Sequence, residues 1–365
     1  MDIQQKKILK FFHFRRILIP VILGLGVATF LLVRGFDREA FQAVNWTSSS
    51  YFYIFLSVLL MAVRDVAYMY RLRILTDGQI SWRHSFDVIM LWEFASAVTP
   101  SIIGGSAIAL YIVNREGVSM GRTTAIVMVT AFLDELFYIL MVPTIIILVG
   151  TQSLFSTGGD YVLMNTRFGT QGIFFLGYLF ILVLTTVIIY GVFFNPRGFK
   201  WILLHLFRIP FLRKWRTRAA ETGNEIIITS SEMKGKPFSF WFKAFAGTFF
   251  SWTARFWVVN TLILAFVAVD NHLLIYGRQL VMWVILLISP TPGGSGVAEF
   301  VFSGFLGEFI PQGLTPALGL LWRTVSYYPY LFIGAIILPQ WLKRVYAPKK
   351  EKEQPRGEPE NIKPV

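Results

Sequence analysis

The sequence predicts an all-α polytopic membrane protein made of two inverted-topology repeats, each holding a re-entrant broken helical hairpin. Three observations carry that prediction. Hydrophobic residues make up 55% of the 365 and mean hydropathy is +0.58, with apolar runs long enough to cross a ~30 Å hydrocarbon core recurring from end to end. A glycine-rich break interrupts hydrophobic sequence twice, as Thr99-Pro100-Ser101-Ile102-Ile103-Gly104-Gly105-Ser106 and as Ser289-Pro290-Thr291-Pro292-Gly293-Gly294-Ser295-Gly296. Lys and Arg, the source of a net charge of +13, gather in short connections and tails between apolar runs, which is a topology signal and argues against a nucleic-acid partner.

Taken in order, complete spans are expected near 17–34, 51–70, 121–149, 172–194, 238–268 and 315–339. The basic start (Lys6, Lys7, Lys10, Arg15, Arg16) runs into the first span without a clean small-residue cleavage site, so that span is expected to be retained. Segments 85–113 and 274–310 each contain a glycine break, and neither half is long enough to cross alone. Irregular backbone at membrane depth is tolerated only where it is buried in protein or lines a cavity.

The basic N-terminus, Arg71 to His84, Asn114 to Arg122, Asn195 to Lys236 and the C-terminal tail place both termini in the cytoplasm. Segment 85–113 then leaves and returns on the cytoplasmic side, and 274–310 on the outer side. The expected organisation is a first repeat over 1–150, an extracytoplasmic loop over 151–171, a second repeat over 172–345 with a basic cytoplasmic linker at 195–236, and a charged, disordered tail over 346–365. Spacing supports the repeat: Asp134 follows Ser106 by 28 residues and Arg323 follows Ser295 by 28, while Arg64 precedes Gly104 by 40 and Arg255 precedes Gly293 by 38. Paired interrupted segments in corresponding halves point to a transport site. The linker mixes basic residues with Trp201, Leu203, Leu204, Leu206, Phe207, Phe211, Leu212 and Trp215, the pattern of a helix on an anionic inner leaflet, with a solvated linker helix as the alternative.

Ionisable residues inside spans cost about 2.5–3.5 kcal/mol each on insertion scales and need a partner or a watery cavity. Those residues are Arg64, Glu93, Asp134, Glu135, Arg255, Glu299 and Arg323. Arginine forks at Arg64, Arg255 and Arg323 suit a phosphate, with Tyr327 one turn from Arg323. The hairpin halves that begin near Gly105 and Gly296 add helix N-termini. The alternative is that these charges neutralise one another, as Asp134 with Arg323. Arg64 and Asp65, adjacent on a helix, are expected to point apart, and Glu308 and Arg278 to snorkel at segment ends. Tyr328 and Tyr330 are expected at the lipid face. The four scattered His residues and the absence of Cys yield no metal site, no disulfide and no thiol chemistry. No cofactor and no catalytic constellation is identified.

The second glycine break with Val297-Ala298-Glu299, followed by Trp322-Arg323-Thr324-Val325-Ser326-Tyr327-Tyr328-Pro329 and Gly334, resembles the flippase domain of the lysylphosphatidylglycerol synthase family over roughly residues 10–345. The Pro100 to Ser106 stretch is similar to that family's first glycine-rich motif. The resemblance implies a bacterial or archaeal inner-membrane protein that moves a lipid headgroup between leaflets. Without the soluble aminoacyl-transferase domain, lipid aminoacylation is not expected. The family's third span often carries an Arg shortly before an acidic residue, whereas this chain reads Ala131-Phe132-Leu133-Asp134-Glu135, which leaves the headgroup open.

The expected function is thus a flippase for an anionic or aminoacylated phospholipid or a polyprenyl-phosphate-linked lipid, in which Arg323→Ala abolishes transport and spares the fold. The alternatives are a secondary carrier of a small soluble anion, a lipid-modifying enzyme using Glu93 or Glu299 as base, and a non-catalytic partner of an envelope-biogenesis enzyme.

Overall fold

The computed structural model describes Glu39, Gln42 and residues 46–99, 101–155, 160–163, 166–210, 212–287, 291, 294, 296–311 and 313–346. The expected first span at 17–34, the tail beyond 346, and Pro100, Pro290, Pro292, Gly293 and Ser295 lie outside these residues.

The described chain is helical apart from one antiparallel hairpin, β1 (Asp160–Leu163) paired with β2 (Thr166–Gly169). The first helix, α1, runs Ser48–Leu75. It starts where Thr47 and Ser50 cap each other's backbone N–H groups. It ends in a Schellman turn, with Gly78 N–H on the Arg73 carbonyl at 2.8 Å and Asp77 N–H on the Ile74 carbonyl at 3.1 Å. Asp77 takes the left-handed position at φ 49°. A glycine is usual there, and this aspartate is held by Arg122 Nη2 and Lys236 Nζ, both 2.7 Å from Oδ2.

The first glycine break separates α2 (Trp82–Val98) from α3 (Ser101–Arg115). The two helices fold back on each other. Near the break Gly105 lies so close to Ser96 that a Cβ would overlap it, and at the far ends His84 and Glu116 stand 3.2 Å apart. Proline at 100 removes an N–H and drives Thr99 to an extended conformation (ψ 140°), which stops α2.

Helix α4 (Met120–Val149) contains Pro143, which cannot donate to the Ile139 carbonyl one turn back. The hydroxyl of Tyr178, on α5 (Thr170–Ile189), takes that donor's place at 3.0 Å. This satisfies a backbone carbonyl where lipid offers no partner. A π-helical turn, Tyr190–Phe194, leads into the linker, which forms α6 (Pro196–Leu206) and α7 (Arg216–Met233). Helix α6 has no buried residue and exposes Trp201, Ile202 and Leu206, so its amphipathic sequence is not consumed by packing.

Helix α8 (Phe238–Leu264) packs antiparallel along α1. Trp46 meets Phe266 at one end, Ser251 Oγ donates to the Arg64 carbonyl midway, and Gly247 presses on Ala67 and Arg71 further along. The spacing Ala244, Gly247, Thr248, Ser251 puts small residues on one face, which lets the two backbones approach.

The second break separates α9 (His272–Leu287) from α10 (Val297–Leu306), again folded back. Arg278 Nη1 donates to the Phe305 carbonyl at 3.0 Å far from the break, and Gly294 faces Leu286 near it. The expected single span at 315–339 is two helices, α11 (Thr315–Ser326) and α12 (Tyr328–Tyr346). Pro329 is the cause: its ring would strike the Val325 carbonyl in a continuous helix, so the chain breaks at Tyr327, whose φ and ψ are −132° and −55°. Helix α12 then lies against α2, with Gly334 so close to Phe94 that any side chain there would overlap it.

Two described helices, α1 and α4, are long and apolar enough to cross a membrane by length and composition.

Candidate functional site

The centre of the bundle holds a cavity of ≈ 330 Å³. Helices α1, α2, α4, α8, α9, α11 and the start of α12 all contribute to its wall, and so do both glycine breaks, through Thr99 and Ser106 on one side and Thr291 and Gly294 on the other. The two interruptions predicted from sequence therefore meet at one site.

Of the predicted site residues, Glu93, Asp134, Glu135, Arg255, Arg323 and Tyr327 line this cavity. Gly104 and Gly105 fall in the first turn of α3, and Gly296 is the N-cap of α10 at φ 86°. Arg64 and Glu299 stand behind the wall. Arg64 has no exposed surface and pairs with Glu93 at 2.5 Å and Asp65 at 2.8 Å, while also donating to Tyr330 Oη at 2.8 Å. The expectation that Arg64 and Asp65 point apart is thus incorrect. Tyr330 donates to Asp65 Oδ1 at 2.8 Å while accepting from Arg64, and this shared partner draws both side chains to one side of α1.

Glu299 is 3% exposed at its side chain, lies 3.1 Å from Arg323 Nε, and accepts the Gly296 N–H at 2.7 Å. The carboxylate ties the second break to α11. Arg323 is further covered by Tyr327, whose ring centre lies 3.6 Å from the guanidinium carbon and whose hydroxyl donates to the Ala97 carbonyl at the end of α2. One residue thus joins the neighbourhoods of both breaks.

Asp134 does not pair with Arg323. Its partner is Arg71, 2.5 Å away, with Trp252 Nε1 donating to the same oxygen at 2.9 Å. From sequence, Arg71 reads as the start of a cytoplasmic connection, because a charge at the edge of an apolar run marks its end. The available signal was periodicity: Arg64, Tyr68 and Arg71 recur on one face of α1 at helical spacing. Tyr68 stacks between the two guanidiniums, 4.5 Å from Arg64 and 4.6 Å from Arg71. Phe132 packs on Phe193 and is not among the residues that line the cavity.

Arg255 differs from the other three arginines. It is half-buried, lines the cavity, and among the described residues has no carboxylate within ion-pair distance. Its guanidinium lies 4.3 Å from the Trp283 ring centre and 5.5 Å from that of Trp252, which hold it in place by cation–π attraction without neutralising it. Glu135 is its counterpart among the carboxylates, with an Oε2 that is buried and lacks a hydrogen-bond partner.

Three further expectations are corrected. Arg278 does not snorkel: it is fully buried, caps the carbonyls of Phe305 and Ser153 at 3.0 Å each, and pairs with Glu308 at 2.7 Å. Tyr330 is a cavity residue and Tyr328 is buried, so neither faces lipid. Asp65, Glu93, Asp134 and Glu299 are each matched to an arginine and Glu135 is not, and among the described residues no group of three His, Cys, Asp or Glu could hold a metal ion.

Residues 17–334 match the family described as the lysylphosphatidylglycerol synthase TM region. A relative from Archaeoglobus fulgidus, described as a UPF0104 membrane protein, is 24% identical over 279 residues, covering 71% of this chain and 76% of that protein. No solved structure matches.

Proposed function

The chain belongs to the lysylphosphatidylglycerol synthase transmembrane family, and from that premise we propose that it is a flippase. It passes the headgroup of an anionic or aminoacylated phospholipid, or of a polyprenyl-phosphate-linked lipid, through the central cavity while the tail stays in the bilayer. The observation that carries this reading is Arg255. A guanidinium held by two tryptophans in a cavity, with no carboxylate partner among the described residues, keeps its fork free for a phosphate. A volume of ≈ 330 Å³ is at the small end of ligand pockets, roughly 300–1,000 Å³, which suits a polar headgroup better than a whole diacyl lipid.

In this reading α2–α3 and α9–α10 are re-entrant hairpins of opposite orientation, belonging to inverted repeats over 1–150 and 172–345. Rocking of one repeat against the other exposes the cavity alternately. The protein sits in the cytoplasmic membrane with both termini inside, and α6 lies on the anionic inner leaflet through Trp201, Ile202 and Leu206, with Arg197 and Lys200 beside them. The reading includes no catalysis, because the two candidate bases are engaged: Glu93 with Arg64, and Glu299 with Arg323 and the Gly296 N–H.

The test is reconstitution into liposomes carrying fluorescent phosphatidylglycerol, an aminoacylated lipid or a polyprenyl phosphate, with leaflet exchange followed by chemical quenching of the outer leaflet. The expected result is protein-dependent exchange of one of these lipids. Uptake of a small soluble anion in place of lipid exchange contradicts the proposal.

A further inference from the structure

We infer that the cavity carries a proton together with the anionic headgroup, and that Glu135 is the group that binds it. The inference rests on the flippase reading and names its energy coupling.

The charges around the cavity do not balance. Four guanidiniums (Arg64, Arg71, Arg255, Arg323) face five carboxylates (Asp65, Glu93, Asp134, Glu135, Glu299) in its wall and directly behind it. The ion pairs consume all but two of these groups: Arg64 holds Glu93 and Asp65, Arg71 holds Asp134, and Arg323 holds Glu299. Arg255 and Glu135 remain, lining the same cavity yet separated beyond ion-pair distance.

The groups facing Glu135 set its response. On its own helix Asp134 is already committed to Arg71 and Trp252, and Tyr138, one turn away, has a buried hydroxyl without a hydrogen-bond partner. Helix α1 supplies Tyr68 and Arg71, α2 supplies Glu93, α8 supplies Arg255, α11 supplies Arg323, the turn after it supplies Tyr327 and α12 supplies Tyr330; among the described residues α9 contributes Trp283 and Leu286, neither of them titratable. Every cation among these except Arg255 is paired, so Arg255 is the positive charge of the described lining left without a carboxylate.

A phosphate that docks on Arg255 brings a negative charge into the cavity that Glu135 also lines. Two like charges in one cavity disfavour each other, and protonation of Glu135 relieves this. Anion binding thus raises proton affinity, and by linkage a proton raises anion affinity to the same extent. The proton comes from water on the side to which the cavity is open and leaves on the other side with the headgroup. One proton and one monoanionic headgroup make a neutral cargo, so a pH difference drives transport and a membrane potential does not.

The experiment uses the full chain in liposomes with fluorescent phosphatidylglycerol as probe. With equal pH on both sides, wild-type exchange tests the flippase reading, and its absence overturns that reading. With a gradient of one pH unit, wild type is expected to shift the probe up to about tenfold toward the leaflet facing the more alkaline side. A potassium potential set with valinomycin is expected to cause no shift. Glu135→Gln, at whatever rate it exchanges, is expected to ignore the pH gradient. As an independent readout, wild type in weakly buffered detergent is expected to take up one proton per phosphatidylglycerol bound, and Glu135→Gln none. Exchange by wild type that is indifferent to the pH gradient, a response to the potential, or proton uptake that survives in Glu135→Gln each overturns the inference and leaves the flippase reading standing.

Discussion

Arg255→Ala is expected to slow leaflet exchange by about 10- to 100-fold while leaving a folded protein that unfolds within about 2 kcal/mol of wild type. The rate effect follows from removing the cavity's uncommitted phosphate donor. A hydrogen bond to a charged group is worth about 1.5–3 kcal/mol, and each 1.4 kcal/mol is a factor of ten. The small stability effect follows because no carboxylate loses its partner. What is lost is contact with Trp252 and Trp283, worth about 0.5–2 kcal/mol. Arg255→Lys is expected to retain part of the activity, since an ammonium attracts phosphate but cannot grip it with a fork. Proteoliposome exchange alongside thermal unfolding in detergent checks both statements. A normal exchange rate in folded Arg255→Ala removes Arg255 from the site.

Arg64→Ala is expected to act in the opposite way, chiefly on stability. Arg64 has no solvent exposure and is the common partner of Asp65, Glu93 and Tyr330. Removing it leaves two half-buried carboxylates without their cation, and breaking one side of a buried pair costs about 3–5 kcal/mol, an upper bound for this partly exposed set. The expected result is a large drop in unfolding temperature or loss of folded protein from the membrane. The double variant Arg64→Leu with Glu93→Leu is expected to recover part of this, because one of the orphaned charges goes too. Unfolding of Arg64→Ala at the wild-type temperature contradicts the placement of Arg64 behind the cavity. The same reasoning corrects the expectation that Arg323→Ala spares the fold. Glu299 would be left buried, held only by the Gly296 N–H, so that variant reports on stability before it reports on transport.

These two arginines show what the sequence could and could not convey. Both were identified as costly charges within apolar runs, which is a one-dimensional property. Their different roles depend on partners far along the chain: Tyr330 lies 266 residues from Arg64. Adjacent charges on a helix are ordinarily independent, and only that distant hydroxyl joins Arg64 to Asp65. Arg71 was missed for a related reason. Reading a charge as the end of a span trades helical periodicity for hydropathy, and here periodicity carried the information, with Arg64, Tyr68 and Arg71 on one face of α1.

The helix breaks between α2 and α3 and between α9 and α10 were legible because proline and glycine act locally: proline at 100 stops α2, and Gly296 takes a positive φ at the start of α10. The division at Tyr327 was legible in principle from Pro329 by the same rule, but the apolar run continues across it and hides the break. The meeting of the two glycine breaks at one cavity required three dimensions. It arises from the antiparallel packing of α1 on α8 and from Tyr327 reaching back to Ala97.

The absence of Cys from the sequence permits the most direct test that the headgroup passes through this cavity. Ala131→Cys places a single thiol on its wall, at an exposed lining position. In proteoliposomes a membrane-impermeant maleimide added to either side is expected to label this thiol, and the transported lipid is expected to slow labelling while diacylglycerol, which has no phosphate, does not. Labelling from neither side, or equal labelling with and without the phosphate-bearing lipid, contradicts the account.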